Sequence, residues 1–400
     1  MTSSASPSLR RLLARPAYRR LWLARTVSQV GDVAQFTALG LLLVTLTGSG
    51  LGVSGAVVAE ILPVLLLAPL AGSLVDRLPR VRVMVAADLV RVLLAVILAV
   101  WHDDVAIAYA VAFGLSAGQV FFSPAAQSLL PAVVEDEELV AANSGIWTVA
   151  VTAQILVAPA AALLAVQVGF GAAFAVNATS FALSAVVLRG LREPERPQAV
   201  SVSSPFAHLR ETLEALAALP LLKALAAGQF LAALSAGATS ALLVVLAQDR
   251  LGGGYGWLIA AIGVGAATGP LLLLGWIKDP RRPLFVFGPY AVRGLVDLVL
   301  ATVTSLPLGA AALVVYGLST ATGNITFTSL VQSRVPDQLR GRAFAGFDML
   351  WQTGRMLSLL GGGLLADLAG IRAVYLLGGL LLLAAAAVGA AGARAADGAD

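Results

Sequence analysis

The chain has 400 residues, of which 59% are hydrophobic and 12% are charged, and its formal net charge is +4. Soluble domains carry about 25% charged residues, so this composition excludes a water-soluble globular domain. The chain contains no cysteine, which excludes disulfides and thiol chemistry. The basic residues lie in short gaps between apolar runs, so we expect no nucleic-acid partner despite the positive charge.

Apolar runs long enough to cross a bilayer recur along the whole chain. A helix needs about 20 residues to cross about 30 Å of hydrocarbon, and lipid offers backbone groups no partner outside the helix. We therefore predict an all-α membrane protein with twelve transmembrane helices. The predicted spans are 21–46, 51–75, 82–101, 105–130, 143–167, 170–190, 221–247, 255–277, 284–304, 307–333, 343–368 and 371–391.

The second half of the chain repeats the first. Pro16, ahead of the first span, corresponds to Pro220 ahead of the seventh. The third span carries Asp88 and Arg91, and its counterpart carries Arg293 and Asp297. We expect two pseudo-symmetric six-helix bundles, an arrangement that many secondary transporters use with the substrate site between the repeats.

The repeat and the loop composition predict the domain organisation and the orientation. The predicted parts are a cytoplasmic N-terminal segment, a first bundle, a cytoplasmic linker with an amphipathic helix, a second bundle and a cytoplasmic tail, at 1–20, 21–192, 193–219, 220–391 and 392–400. Lysine and arginine concentrate on the side of the N-terminus, and the opposite loops hold only Arg250 and Arg372. This bias predicts that both termini are cytoplasmic. We expect no cleavable signal ahead of the first span, because SLRRLLARPAYRR leads directly into it.

The turn after the second span carries the sharpest local motif, GSLVDRLPRVR from Gly72. A glycine lets another helix approach closely. Asp76 is placed to face the positive N-terminus of a helix, and Arg77 and Arg80 can pair with acidic groups or lipid phosphates. We interpret the motif as a conformational latch on the cytoplasmic side; the alternative is a plain positive turn. It resembles the Gly-x-x-x-Asp-Arg-x-Gly-Arg signature of the major facilitator superfamily, with Pro79 in place of the second glycine.

The resemblance extends over nearly the whole chain. It rests on the segments RRLWLARTVSQVGD, FFSPAAQSLLP, ELVAANS and VPDQLRGRAFAG. These segments are similar to the subfamily of bacterial macrolide-efflux and enterobactin-exporter-like proteins. The resemblance implies the twelve-helix fold of that superfamily, a bacterial inner-membrane location, and proton-coupled export of an amphipathic drug, siderophore or natural product. Antiporters of this superfamily carry the pattern Gly-x8-Gly-x3-Gly-Pro-x2-Gly in the fifth span. Only Gly145 and Pro159 of this pattern are present here, so the resemblance supports antiport less strongly than export.

Two acids near mid-membrane are the candidates for proton coupling. Asp32 lies in the first span and Glu60 in the second, and neither has a basic residue one helical turn away. A lone charge in hydrocarbon costs at least about 2.5 kcal/mol, so each needs a partner, water or a function. We expect both to bind and release protons. The alternatives are a structural hydrogen bond for Asp32 and a polar substrate contact or an aqueous cavity for Glu60.

The other charges inside spans favour structural roles. Asp88 with Arg91, and Arg293 with Asp297, are spaced to neutralise each other on one helix face, so we predict two structural charge pairs. Arg355 either holds an anionic substrate group, compensates an acid across the cavity, or belongs to a structural network. The candidates for lining the substrate cavity, each of which could instead join helices, are Arg355 together with Gln29, Gln119, Trp147, Gln154, Gln229, Asn324, Trp351 and Gln352.

The sequence contains no pattern typical of an enzyme. There is no phosphate-binding glycine loop, and the two histidines lie in predicted loops, so zinc binding is not expected. We predict no catalytic residue, no metal and no cofactor. The expected partners are an amphipathic small molecule, protons and membrane lipids, and we expect a monomer. Two other functions stay open. One is a lipid or lysolipid translocator. The other is a non-transporting membrane sensor or scaffold, and the intact latch motif and the mid-membrane charges argue against this second alternative.

Overall fold

The structure is a computed structural model that describes residues 9–135, 138–191, 220–276, 284–334 and 337–397. Within these ranges the chain is all-helical. The fourteen helices are α1 (Leu9–Ala14), α2 (Pro16–Thr47), α3 (Gly50–Arg77), α4 (Arg80–Val100), α5 (Val105–Val133), α6 (Leu139–Gln167), α7 (Phe170–Arg189), α8 (Pro220–Ala241), α9 (Leu243–Arg250), α10 (Tyr255–Trp276), α11 (Leu284–Leu300), α12 (Leu306–Arg334), α13 (Asp337–Ala369) and α14 (Ile371–Asp397). The all-α prediction is confirmed, and each predicted span except the seventh overlaps one long helix.

Nine helices in the described part of the chain are long and apolar enough to cross a membrane. The other long helices do not meet this length and hydropathy criterion, for different reasons. The described side chains of α10, Tyr255–Gly269, form a shorter apolar segment, α11 has 17 residues, and α13 contains the charged residues Asp348, Arg355 and Asp367 along its length. The number of membrane crossings therefore stays a prediction.

The largest difference from the predicted spans is a break in the seventh. The predicted helix 221–247 is divided at Leu242 into α8 and α9. The hydroxyl of Tyr375 in α14 donates a 2.7 Å hydrogen bond to the carbonyl of Thr239. A continuous helix would offer that carbonyl to the amide of residue 243. A side chain that inserts into the backbone ladder in this way is a recognised cause of helix interruption.

The chain divides into two compact units. The first contains Met1–Leu42 and Ala59–Val202, and the second contains Leu43–Val58 and Ser203–Asp400. This division places the end of α2 and the start of α3 with the second unit, whereas the sequence analysis places them in the first bundle. The predicted linker 193–219, with its amphipathic helix, lies outside the described residues.

Each unit has its own packing, and the two packing schemes correspond. In the first unit α4 packs against α5 and α7, and in the second unit α11 packs against α12 and α14. The largest buried apolar side chains of the first core include Tyr18, Met84, Phe122 and Leu129. The core of the second unit is built around Leu225, Phe287, Tyr290, Leu330 and Phe347.

Glycines allow the closest helix crossing in the second unit. A Cβ added at Gly265 of α10 would lie 1.9 Å from the carbonyl oxygen of Val314, and one added at Gly317 of α12 would lie 2.0 Å from that of Ile262. The backbones of α10 and α12 therefore touch directly, as small residues permit between membrane helices.

Candidate functional site

The centre of the first unit contains a buried ion pair. Asp88 and Arg91, one turn apart on α4, are 0% and 1% exposed. Arg91 Nη2 donates a hydrogen bond to Asp88 Oδ1, and the hydroxyl of Ser184 in α7 donates to Asp88 Oδ2 at 2.6 Å. Buried charges are tolerated only when they are paired and hydrogen-bonded. The pair and Ser184 therefore tie α4 to α7.

The guanidinium of Arg91 is held from several directions. Nη1 donates to Oε1 of Gln119 in α5 at 2.7 Å. The guanidinium carbon lies 4.6 Å from the centre of the Phe122 ring and 4.3 Å from that of the Phe181 ring. Arg91 therefore stacks between aromatic rings of α5 and α7, an arrangement that suits a weakly hydrated planar cation.

Asp32 of α2 belongs to the same electrostatic environment. Its side chain is partly buried and accepts a hydrogen bond from Ser28, one turn earlier. Arg91 attracts its carboxylate and Asp88 repels it. Arg91 thus acts electrostatically on two carboxylates, while its direct ion pair is with Asp88. Together the three groups are neutral only when one carboxyl group holds a proton.

Glu60 of α3 is placed against α5. Its side chain is partly buried, and the hydroxyl of Ser116 donates a hydrogen bond to its backbone carbonyl.

In the second unit, α11 carries an arginine and an aspartate in the opposite order to α4, with the arginine first. Arg293 and Asp297 are 5% and 1% exposed and attract each other electrostatically. Their hydrogen bonds go to other helices: Arg293 Nη2 donates to the Tyr316 hydroxyl at 2.8 Å, and Asp297 Oδ2 accepts from the Ser235 hydroxyl at 3.4 Å. Oδ1 of Asp297 has no hydrogen-bond partner among the residues that the structure describes. The predicted structural pair is therefore two buried charges with partners on neighbouring helices, and not a direct ion pair like Asp88 with Arg91.

The cavity candidates of the first unit differ in exposure. Gln29 is partly buried, and Gln119, Trp147 and Gln154 are exposed. Gln119 is the one placed at the charge group, where it accepts from Arg91 and donates to Ser123 at 2.9 Å. Trp147 and Gln154 are seven residues apart on α6 and share one face of that helix.

The cavity candidates of the second unit are mostly engaged with the protein. Gln229 accepts a hydrogen bond from the Tyr290 hydroxyl, and Trp351 packs against the apolar core. The Oε1 atom of Gln352 is buried and finds no hydrogen-bond partner in the described part of the chain. Arg355 is partly buried and interacts with neighbouring atoms, and Asn324 is exposed.

The latch motif lies at the junction of α3 and α4. Gly72, Asp76 and Arg77 are in the last turns of α3, Pro79 precedes α4, and Arg80 is its first residue. The side chains of Asp76 and Arg77 and the packing around Gly72 lie outside what the structure describes, so the predicted contact of Asp76 with a helix terminus stays a prediction. Pro79 has φ −58° and ψ 119°, values that suit the start of a new helix after a tight turn.

An apolar groove lies beside this junction in the first unit. It has a volume of about 610 Å³ and runs along α4 from Arg82 to Leu94. Its wall is completed by Leu74 and Leu78 of α3 and by Ala117 and Phe121 of α5. Arg82 is the one charged residue among the described residues of the lining.

The hydroxyl partners of the buried charges were missed by the sequence analysis. Ser184, Ser235 and Tyr316 lie in apolar helices where single hydroxyl groups form no pattern. The one available signal was physical: a buried charge needs a partner, and these are polar residues of the neighbouring spans.

The sequence profile of the Major Facilitator Superfamily matches residues 21–359 and, in a second match, residues 225–395. An uncharacterized MFS-type transporter of Bacillus subtilis is 26% identical, over 91% of this chain and 90% of its own. Macrolide efflux protein A of Streptococcus pyogenes is 25% identical, over 92% and 94%. The multidrug efflux pump Tap of Mycolicibacterium fortuitum is 27% identical, over 88% and 90%.

Solved structures share the fold at low sequence identity. The peptide transporter PepTSo, of the POT family, gives a TM-score of 0.78 at 12% identity, covering 96% of this chain and 99% of that one. A bacterial homologue of the iron transporter ferroportin gives a TM-score of 0.70 at 17% identity, covering 97% and 100%.

Proposed function

The chain belongs to the Major Facilitator Superfamily, and on this premise we propose that it is a secondary active exporter of amphipathic small molecules, driven by protons that move in the opposite direction. Its relatives include efflux proteins for macrolides and for several drugs, which supports export. We place it in the bacterial inner membrane with both termini in the cytoplasm, as the arginine distribution predicts.

The observation that carries proton coupling is the buried ion pair of Asp88 with Arg91, whose two charges also act electrostatically on the Asp32 carboxyl group. Because the three charges are neutral only with one carboxyl group protonated, the group can hold a proton in one state of the cycle and release it in another. Asp88 is fixed by Ser184 and by its own ion pair with Arg91, so Asp32 is the carboxyl group freer to exchange the proton. Glu60 is the second proposed proton site, and drug molecules would meet apolar walls with a few polar groups such as Gln119.

Transport by the purified protein in liposomes tests this proposal. Ethidium and a macrolide serve as probes, with and without an imposed pH gradient. We expect gradient-driven accumulation in the wild type and its loss in Asp32→Asn, which mimics the protonated carboxyl group, while exchange down the probe's own gradient continues. Asp103→Asn is the matched control, because the Asp103 side chain is 92% exposed. Gradient-driven accumulation at the wild-type rate in Asp32→Asn and in Glu60→Gln would assign both acids a structural role.

The groove beside α4 favours a second candidate, movement of a lipid or lysolipid between leaflets. An apolar groove with one arginine in its lining suits an acyl chain with a phosphate headgroup. Liposomes that contain a fluorescent lysophospholipid distinguish the two functions. Lysolipid movement without probe export would favour the lipid translocator.

A further inference from the structure

The N-terminus of α3 is capped by a carboxylate from a distant part of the chain. Asp367, near the end of α13, accepts hydrogen bonds from the Gly50 amide at 2.6 Å, the Leu51 amide at 3.2 Å and the Ser49 hydroxyl at 2.7 Å. The first amides of a helix have no partner inside the helix and favour a negative charge. Asp367 and Gly50 are 317 residues apart in the chain, so this cap is a tertiary contact within the second compact unit.

Small residues close the space below the cap. A Cβ added at Gly50 would lie 2.7 Å from the Cβ of Ala366, and one added at Gly363 would lie 3.0 Å from the Leu51 Cα and from the Ser54 hydroxyl. Ser54 is 0% exposed. The two helices therefore pack closely one turn below the cap, and Ser54 is sealed from solvent.

The carboxylate side of the cap is exposed, whereas the capped backbone at Gly50 is buried, like the layer below it. Asp367 and Leu51 are both exposed. When the contact opens, water can replace each of these hydrogen bonds, so the net free energy that holds it is small. A contact of this kind can close and open reversibly during a transport cycle.

The position of the cap relates it to the latch motif. α3 carries the cap at its first residue and Asp76 near its last, and 26 residues of helix separate Gly50 from Asp76, about 39 Å at 1.5 Å per residue. The two motifs are thus at opposite ends of one helix. The helix passes from the second compact unit into the first between Val58 and Ala59.

We propose that Asp367 is a gating residue: its contact with the N-terminus of α3 closes the side of the transporter opposite the Gly72–Arg80 turn, and transport requires this contact to break. The inference rests on the proposed transport function. It adds a gate that is formed by one carboxylate and a helix terminus, separate from the charge group around Arg91.

Thiol labelling tests the gate without any substrate. The chain contains no cysteine, so Ser54→Cys provides a single thiol under the cap. We expect slow reaction with a membrane-impermeant maleimide in this variant, and at least a tenfold faster reaction when Asp367→Ala is added. Asp367→Asn, which keeps the shape and loses the charge, should give an intermediate rate, and Asp103→Ala should leave the rate unchanged. Equal labelling rates in all of these variants would overturn the proposal.

Cross-linking tests whether the contact must open. In the pair Ser49→Cys with Asp367→Cys, oxidation or a short bifunctional thiol reagent should link α3 to α13 and stop ethidium movement in liposomes. Reduction of a disulfide should restore it, and each single variant should be insensitive to the oxidant. Unchanged transport by the linked protein would also overturn the proposal. Because labelling needs neither substrate nor a pH gradient, failure of proton-driven export would leave the labelling result valid.

Discussion

Arg91 and Asp88 form a direct ion pair in which both side chains are almost completely withdrawn from solvent, at 1% and 0% exposure. The pair lies at the point where α4 contacts both α5 and α7, since Arg91 reaches Gln119 and Asp88 accepts from Ser184. Stability of the first unit and the proposed proton chemistry thus depend on the same few atoms.

Removal of the cation from this pair should destabilise the first unit strongly. Arg91→Gln leaves the Asp88 carboxylate buried without its counter-charge, and breaking a buried pair in this way costs about 3–5 kcal/mol. Thermal unfolding of the detergent-solubilised protein, followed by circular dichroism, measures the loss. Arg82→Gln, an exposed arginine of the same helix, should change the midpoint little. A similar midpoint for both variants would contradict this account of the pair.

Ser184→Ala should destabilise the protein less, but measurably. It removes the hydroxyl that donates to Asp88 Oδ2, and loss of a partner for a buried polar group costs about 1–3 kcal/mol. Thr179→Ala is the matched control on α7, because its hydroxyl is exposed and bonds to the carbonyl of Ala175 in its own helix. Equal unfolding midpoints for the two variants would show that Asp88 does not depend on Ser184.

Gly118 and Gly361 should respond in opposite directions to alanine. A Cβ at Gly118 would lie 2.7 Å from Cγ of Arg91, whereas one at Gly361 would have nothing within 4 Å. Alanine is favoured over glycine in a helix by about 1 kcal/mol, so Gly361→Ala should raise the unfolding midpoint. Gly118→Ala should lower it because Arg91 must move, and a raised midpoint there would contradict the tight contact.

The sequence predicts the helices well because each span is a long apolar run, and length and composition decide that a lipid-embedded segment is helical. The break at Leu242 was not predictable, because its cause is Tyr375, which bonds to Thr239 across 136 residues of chain. The same limit applies to the charges. The spacing of Asp88 and Arg91 places them on one helix face, but identical reasoning for Arg293 and Asp297 does not reveal that their hydrogen bonds go to Tyr316 and Ser235. Partners on other helices depend on tertiary packing, which local spacing does not encode.

Tyr316→Phe should separate the hydrogen bond of Arg293 from its contact with the aromatic ring. The guanidinium carbon lies 4.7 Å from the centre of the Tyr316 ring, and phenylalanine keeps that contact while it removes the hydroxyl that accepts from Nη2 at 2.8 Å. A hydrogen bond to a charged group contributes about 1.5–3 kcal/mol, whereas one between neutral groups contributes about 0.5–1.5 kcal/mol. Tyr18→Phe is the neutral comparison, since its hydroxyl donates to the carbonyl of Ala142 at 3.1 Å. We therefore expect a larger drop in the unfolding midpoint for Tyr316→Phe than for Tyr18→Phe, and the reverse order would show that the ring alone holds Arg293.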